Sequence, residues 1–249
     1  MLGWDVGIMD QIVERGKPAE FGQEIVKRRA RITASFISLQ NKLVLDFGSG
    51  NGAQTFELLK YGCQIVACDI DAADLAILKE YATTNKIDTV KALLCDGTQL
   101  PASDAYFDAI VSYSVLEHTQ HESMSLREMH RVLKDDGELV IAVPNKWWVF
   151  ETHGARLPLL PWNRVPFFSW LPKALHSRFA RARIYRKTDI VKLLEAHGFK
   201  VLDTCYMMAP MDVVKSPALQ KTLRKAIFRG DRSTIPFLST EVFVHCRKL

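Results

Sequence analysis

Residues 44–52, Val44-Leu45-Asp46-Phe47-Gly48-Ser49-Gly50-Asn51-Gly52, place a short apolar run and one acid ahead of three alternating glycines. The run reads as a buried strand, the glycines as the loop behind it and residues 53–61 as the following helix. Such a turn aims backbone N–H groups at a nucleotide-like ligand, and a Cβ in the loop would block its approach. The glycines also fit the dinucleotide form ending at Ala53, so by themselves they leave two ligand classes open. Asp46 decides between them. An ionised carboxylate two residues before the first glycine repels a pyrophosphate and attracts a ligand carrying an ammonium and a sulfonium. S-adenosylmethionine is such a ligand; NAD is not, and no hydride-transfer site is evident.

Strands and helices alternate from this loop onward. Apolar runs predict strands at 43–47, 64–68, 90–95, 107–112 and 138–143, the last opened by the turn Asp135-Asp136-Gly137. Helical spacing marks 72–84, with Leu75, Leu78 and Tyr81 inward, and 120–133, with Met124, Met129, Val132 and Leu133 on one face. Residues 188–197 read as a helix with Thr188 as N-cap and Gly198 as C-cap. Strands at 199–206 and 241–246 follow, joined by about thirty residues, a length that lets the last strand enter antiparallel. This cadence predicts an α/β, doubly wound, mostly parallel Rossmann-like sheet. The chain is expected to be one domain over 1–249. Its parts are a helical cap in 1–42 with a basic face over 20–38, a ligand-binding half in 43–146, an insertion in 147–187, and a C-terminal half in 188–249 holding a second insertion, 207–238.

With 249 residues, 48% apolar and 24% charged, the chain fits one domain with insertions better than two. No apolar run approaches the ~20 residues of a membrane-spanning helix, and the first residues lack a basic-then-apolar signal pattern, so a cytoplasmic location is expected. Cys63, Cys68, Cys95, Cys205 and Cys246 show no CxxC spacing and read as buried, reduced thiols.

Chemistry in an open α/β sheet gathers at the carboxyl ends of the strands, and three acids stand there. Asp46 ends the first strand, Asp69 the second, where it is placed to accept both ribose hydroxyls, and Asp96 the third, where it is placed to accept from an adenine amino group. Ile70 and Leu100 are positioned to sandwich the ring. The stretches VLDFGSGNG (44–52), ACDID (67–71), CDGTQLPASDAYFDAIVSYSVLEH (95–118) and EMHRVLKDDGELVIAVPN (128–145) resemble class I S-adenosylmethionine-dependent methyltransferases, in the branch that includes ubiquinone and menaquinone biosynthesis enzymes. The resemblance implies a seven-stranded sheet with an antiparallel last strand. It also implies cofactor contacts at Asp46, Gly48, Gly50, Asp69, Asp96 and Gly97 and near Ser112, with Ser49 and Gly52 in the same loop. It implies a small-molecule acceptor methylated at oxygen, carbon or nitrogen. The rival expectation is a scaffold that binds the cofactor without catalysis.

A phenol-type acceptor must lose a proton. Leu116-Glu117-His118 follows the fourth strand at the rim of the cleft, offering His118 or Glu117 as base; a hydrogen-bonding role in orienting the loop competes for His118. His153, just past the fifth strand, is a second candidate. The HxxH at His118 and His121 has no third ligand pattern, and no metal is expected. His130, His176, His197 and His245 read as structural or solvated.

Between Glu151 and Asp189 stand eight bases and no acid: Arg156, Arg164, Lys173, Arg178, Arg181, Arg183, Arg186 and Lys187. This local charge exceeds the +5 of the whole chain. Trp162, Phe167, Phe168, Trp170, Phe179 and Tyr185 are interleaved with them. The segment reads foremost as a lid over an apolar or amphiphilic substrate. Peripheral membrane contact through 156–187 is a compatible second role; nucleic-acid binding is disfavoured by the prolines and by the lack of an RNA module. In the second insertion, Met207, Met208 and Met211 are expected to fill core.

Overall fold

In the computed structural model, which describes residues 23–150 and 166–249, the sheet grows outward from Leu43–Phe47 (β1). Val44 to Phe47 are all buried, as the unbroken apolar run requires of a strand covered on both faces. Gln64–Asp69 (β2) and Val90–Leu94 (β3) extend the sheet on one side; Phe107–Tyr113 (β4) and Leu133–Pro144 (β5) extend it on the other. These five strands run parallel. Ser239–Lys248 (β8) enters antiparallel between β5 and Phe199–Met208 (β6), as the long connection allows. Arg232–Ser233 (β7) adds a two-residue edge on Tyr206 and Met207, so the sheet has eight strands where seven were expected, in the order β3-β2-β1-β4-β5-β8-β6-β7.

Helices cover both faces. Glu24–Phe36 (α1), Ala53–Leu59 (α2) and Ala72–Thr84 (α3) contribute Ala30, Ile32, Leu58 and Leu78 to one core. Glu122–Val132 (α4) and Lys187–Glu195 (α6) contribute Leu126, Met129, Ile190 and Leu194 to the other. Two further helices among the described residues are Lys173–Phe179 (α5) and Pro217–Ala226 (α7). The arginines of α1 are directed at the C-terminal part of the chain. Arg28, itself buried, donates to the carbonyls of Met208 and Phe228 at 3.0 and 3.1 Å, and Arg31 pairs with Asp231.

Several local expectations are corrected. Tyr81 is 51% exposed, its ring tilted against Phe56 at 4.4 Å, while the smaller Ala82 takes the inward position. Met124 is exposed and Leu126 fills its place. The Asp135-Asp136-Gly137 turn does not open β5 but bulges within it: Leu133 pairs with Phe107 and Glu138 with Ala109. Thr188 lies inside α6, its hydroxyl beside the Asp189 carboxylate; Gly198, at φ +83°, does follow the helix as its left-handed stop. Met207 and Met208 are buried as expected. The five cysteines are free thiols.

Candidate cofactor cleft

Strand order reverses between β1 and β4, and the glycine loop lies at that switch point. The N–H groups of Gly48 and Ser49 donate to the Cys68 carbonyl at 2.7 and 2.9 Å, hanging the loop on the end of β2. The three glycines have different reasons. A Cβ on Gly48 (φ +80°) would stand 2.2 Å from Val115, and one on Gly52 (φ +85°) 2.8 Å from Leu78, so both serve packing. A Cβ on Gly50 (φ +52°) would meet only the Asp74 carboxylate, at 3.8 Å. Space is therefore kept open at Gly50 alone. Gly50→Ala is expected to fold, at a left-handed backbone cost of about 1–2 kcal/mol, yet to lose cofactor affinity. Gly48→Ala is expected to lose about 2–4 kcal/mol of stability from strain plus overpacking. Thermal denaturation and ligand titration of the pair separate the two effects.

Asp69 closes β2 facing that space. Its Oδ2 accepts from Gly50 N at 2.7 Å and its Oδ1 from Asp71 N at 2.9 Å, which fixes the carboxylate and leaves a further lone pair on each oxygen. Ile70, 43% exposed, stands beside it. Asp96, beyond β3, is exposed; its Oδ1 accepts from the backbone N–H and the hydroxyl of Thr98, and Gly97 (φ +76°) turns the chain against the Phe47 ring. An adenosine fits this geometry: open space over Gly50, an anchored carboxylate for two hydroxyls, an apolar side chain beside it.

The predicted contact residues Asp46, Leu100 and Ser112 are buried. Asp46 does not face the cleft: it is 1% exposed and accepts from the Thr55 hydroxyl at 2.6 Å, with burial raising its carboxyl to about 6. Leu100 is 3% exposed and packs in the core cluster that includes Phe47 and Cys68. Ser112 is buried within β4, its hydroxyl without a protein partner among the described residues. His153 lies outside the described residues.

The exit of β4 holds a buried ion pair that no motif announced. Arg29 of α1 donates to both carboxylate oxygens of Glu241 of β8, through Nε at 3.0 Å, and to the Ser114 hydroxyl at 2.7 Å; Ser114 in turn donates to Glu241 at 2.9 Å. Ser114 sits at φ +56°, a strained conformation this network secures. Three residues on, in the turn Leu116–His118, the buried Glu117 carboxyl is pushed to about 8, chiefly by desolvation, with Glu241 adding to the rise and Arg29 opposing it. Burial, then Arg183, lowers His118 to about 4. An imidazole so weakly basic is a poor proton acceptor.

The described part of the insertion is tied back to the body. Arg183 donates to the Leu116 and Thr119 carbonyls at 2.6 and 2.5 Å, Arg186 lies over Trp147, and Lys146 donates to the Ser169 and Leu171 carbonyls. Trp170 contacts both Phe167 and Phe237, at 4.9 and 5.6 Å between ring centres, and all three rings are exposed. Among the described residues no group of His, Cys, Asp and Glu is gathered to hold a metal ion, and no helix is long and apolar enough to cross a membrane.

This sheet, with its glycine loop at the switch point and its antiparallel β8, has the Rossmann-like architecture of class I S-adenosylmethionine-dependent methyltransferases. Residues 45–141 match the family described as a methyltransferase domain. The demethylmenaquinone methyltransferase of Corynebacterium glutamicum is 35% identical over 123 residues, 49% of this chain and 50% of that protein. The ubiquinone biosynthesis O-methyltransferase of Pelagibacter ubique is 24% identical over 194 residues, 74% of this chain and 76% of that protein. The chain thus spans about half the length of the first of these relatives. In fold it is similar to a SAM-dependent methyltransferase from Aquifex aeolicus, with a TM-score of 0.61 at 15% identity, covering 94% of this chain and 95% of that one.

Proposed function

We propose that this chain transfers a methyl group from S-adenosylmethionine to an oxygen, carbon or nitrogen atom of an apolar or amphiphilic small molecule of quinone-like character. One observation carries the reading: the Asp69 carboxylate, anchored on Gly50 N, borders the one glycine position of the loop whose Cβ space is open. Gly50 admits the cofactor, Asp69 accepts from the ribose, Ile70 lies against the base and Asp96 accepts from its amino group. When bound, the cofactor supplies an electrophilic methyl; the protein aligns the acceptor with it and excludes water. Asp46 acts at one remove, as a buried charge beneath the loop.

For an acceptor that must be deprotonated, Glu117 is the base in place of His118. A carboxyl at about 8 is mostly protonated at pH 7. Its active, ionised form grows as pH rises, so turnover is expected to climb through pH 8 and level off above it. Glu117→Gln removes that climb, whereas His118→Asn leaves it in place. A pH–rate profile unchanged in Glu117→Gln would assign the proton elsewhere.

The relatives' names refer to quinones, and the exposed Phe167, Trp170 and Phe237 suit such an acceptor and the lipid that dissolves it. Residues 166–187 carry six bases and no acid, so anionic headgroups are the complementary surface. Co-sedimentation with phosphatidylglycerol vesicles is expected, weakened several-fold in Phe167→Ser/Trp170→Ser and by salt. Equal binding to neutral vesicles, or none, would remove the membrane from the proposal.

A further inference from the structure

Two thiols meet at the base of the cleft. Cys68 stands directly ahead of Asp69, Cys95 directly ahead of Asp96, and their Sγ atoms are 2.8 Å apart. Cys68 pairs with Leu93 across the parallel β2–β3 ladder, so Cys95, two residues on, projects from the same face. Cys95 alone of the five is lowered; the hydrogen bond with Cys95 and burial raise Cys68 well above the ordinary value, and burial pushes Cys63 to about 11 and Cys205 and Cys246 to about 12.

We propose that Cys68 and Cys95 form a modification site, a reversible disulfide made by a peroxide, which deforms the adenosine side of the cleft and weakens cofactor binding. Cys95, partly exposed, reacts first: the hydrogen bond from Cys68, with a further one from the Gly97 N–H, lowers its thiol from the ordinary value. Its thiolate attacks a peroxide oxygen, the O–O bond breaks, and with one proton taken up a water leaves a sulfenic acid behind. The Cys68 sulfur then attacks the Cys95 sulfur, the S–S bond forms, the S–O bond breaks and a second water departs. Two thiols and one hydrogen peroxide thus give one disulfide and two waters, and a dithiol reverses the exchange.

The backbone couples this bond to the ligand. The Cys68 carbonyl is the acceptor on which Gly48 and Ser49 hang, and Cys95 N donates to the Asp69 carbonyl at 3.0 Å. Drawing a diagonal pair to the bonding distance of about 2.0 Å pulls the two strand ends together. Gly97, already packed on Phe47, leaves little slack to absorb the shift. The binding effect rests on the cofactor reading of the cleft; formation of the disulfide does not.

The test treats the full chain with graded hydrogen peroxide, maps disulfide-linked peptides by mass spectrometry and titrates S-adenosylhomocysteine into reduced, oxidised and re-reduced protein. A 68–95 link is expected before any other. Affinity should fall about tenfold on oxidation and return with dithiothreitol, while Cys95→Ser and Cys68→Ala keep the affinity of their reduced state under peroxide. A different linkage, irreversible oxidation of Cys95 without a disulfide, or a 68–95 disulfide with unchanged affinity overturns the proposal. Reduced protein that binds no S-adenosylhomocysteine refutes the cofactor reading and with it the binding effect, while peptide mapping still decides the disulfide.

Discussion

Asp69→Ala is expected to weaken S-adenosylhomocysteine binding by about 100- to 1000-fold. The wild-type carboxylate is held by Gly50 N and Asp71 N, so its spare lone pairs are oriented before a ligand arrives. Two charge-assisted hydrogen bonds to a ribose, each worth roughly 1.5–3 kcal/mol, set the scale of the loss. The substitution also leaves the Gly50 N–H without its partner, loosening the loop. Asp69→Asn keeps an acceptor for one of these contacts and should fall between the two. Calorimetric titration measures the series, and melting curves check that the variants fold. An unchanged affinity in Asp69→Ala would place the ribose elsewhere.

Arg29→Met is expected to destabilise the fold by about 3–5 kcal/mol, the range for removing one partner of a buried pair. Glu241 is 3% exposed and keeps only the Ser114 hydroxyl once the guanidinium is gone. Removing the second charge as well, in Arg29→Met/Glu241→Gln, should recover part of the stability, because two neutral side chains of similar size replace an orphaned ion. Urea denaturation of the single and double variants tests this. A loss below about 1 kcal/mol would mean that the pair does not hold the β4 exit.

The parts of this fold legible in the sequence depend on neighbours along the chain. An apolar run followed by glycines fixes a strand and its loop from local residues, and β1 spans 43–47 as its pattern predicts. Asp69 ends β2 because it closes such a run. Asp46 is misplaced because its partner, Thr55, returns over the strand only once α2 has formed; nothing nine residues away marks the acid as satisfied. Tyr81 and Ala82 lie one step apart on α3, and helical period alone cannot say which faces the sheet. Arg29 and Glu241 are separated by 212 positions and join through an antiparallel strand whose place between β5 and β6 is a property of the whole sheet. The insertion's eight bases stand without an acid along the chain, which says nothing of their partners; Arg183 and Arg186 are used inside the molecule, on carbonyls and on an indole.

The most direct test of the central claim is calorimetric titration of the reduced chain with S-adenosylmethionine, S-adenosylhomocysteine and NAD in parallel. Binding of both adenosyl ligands at about micromolar affinity, with none of NAD, is the predicted result. NAD binding, or no adenosyl binding with or without anionic vesicles, would contradict the cofactor site at Gly50 and Asp69.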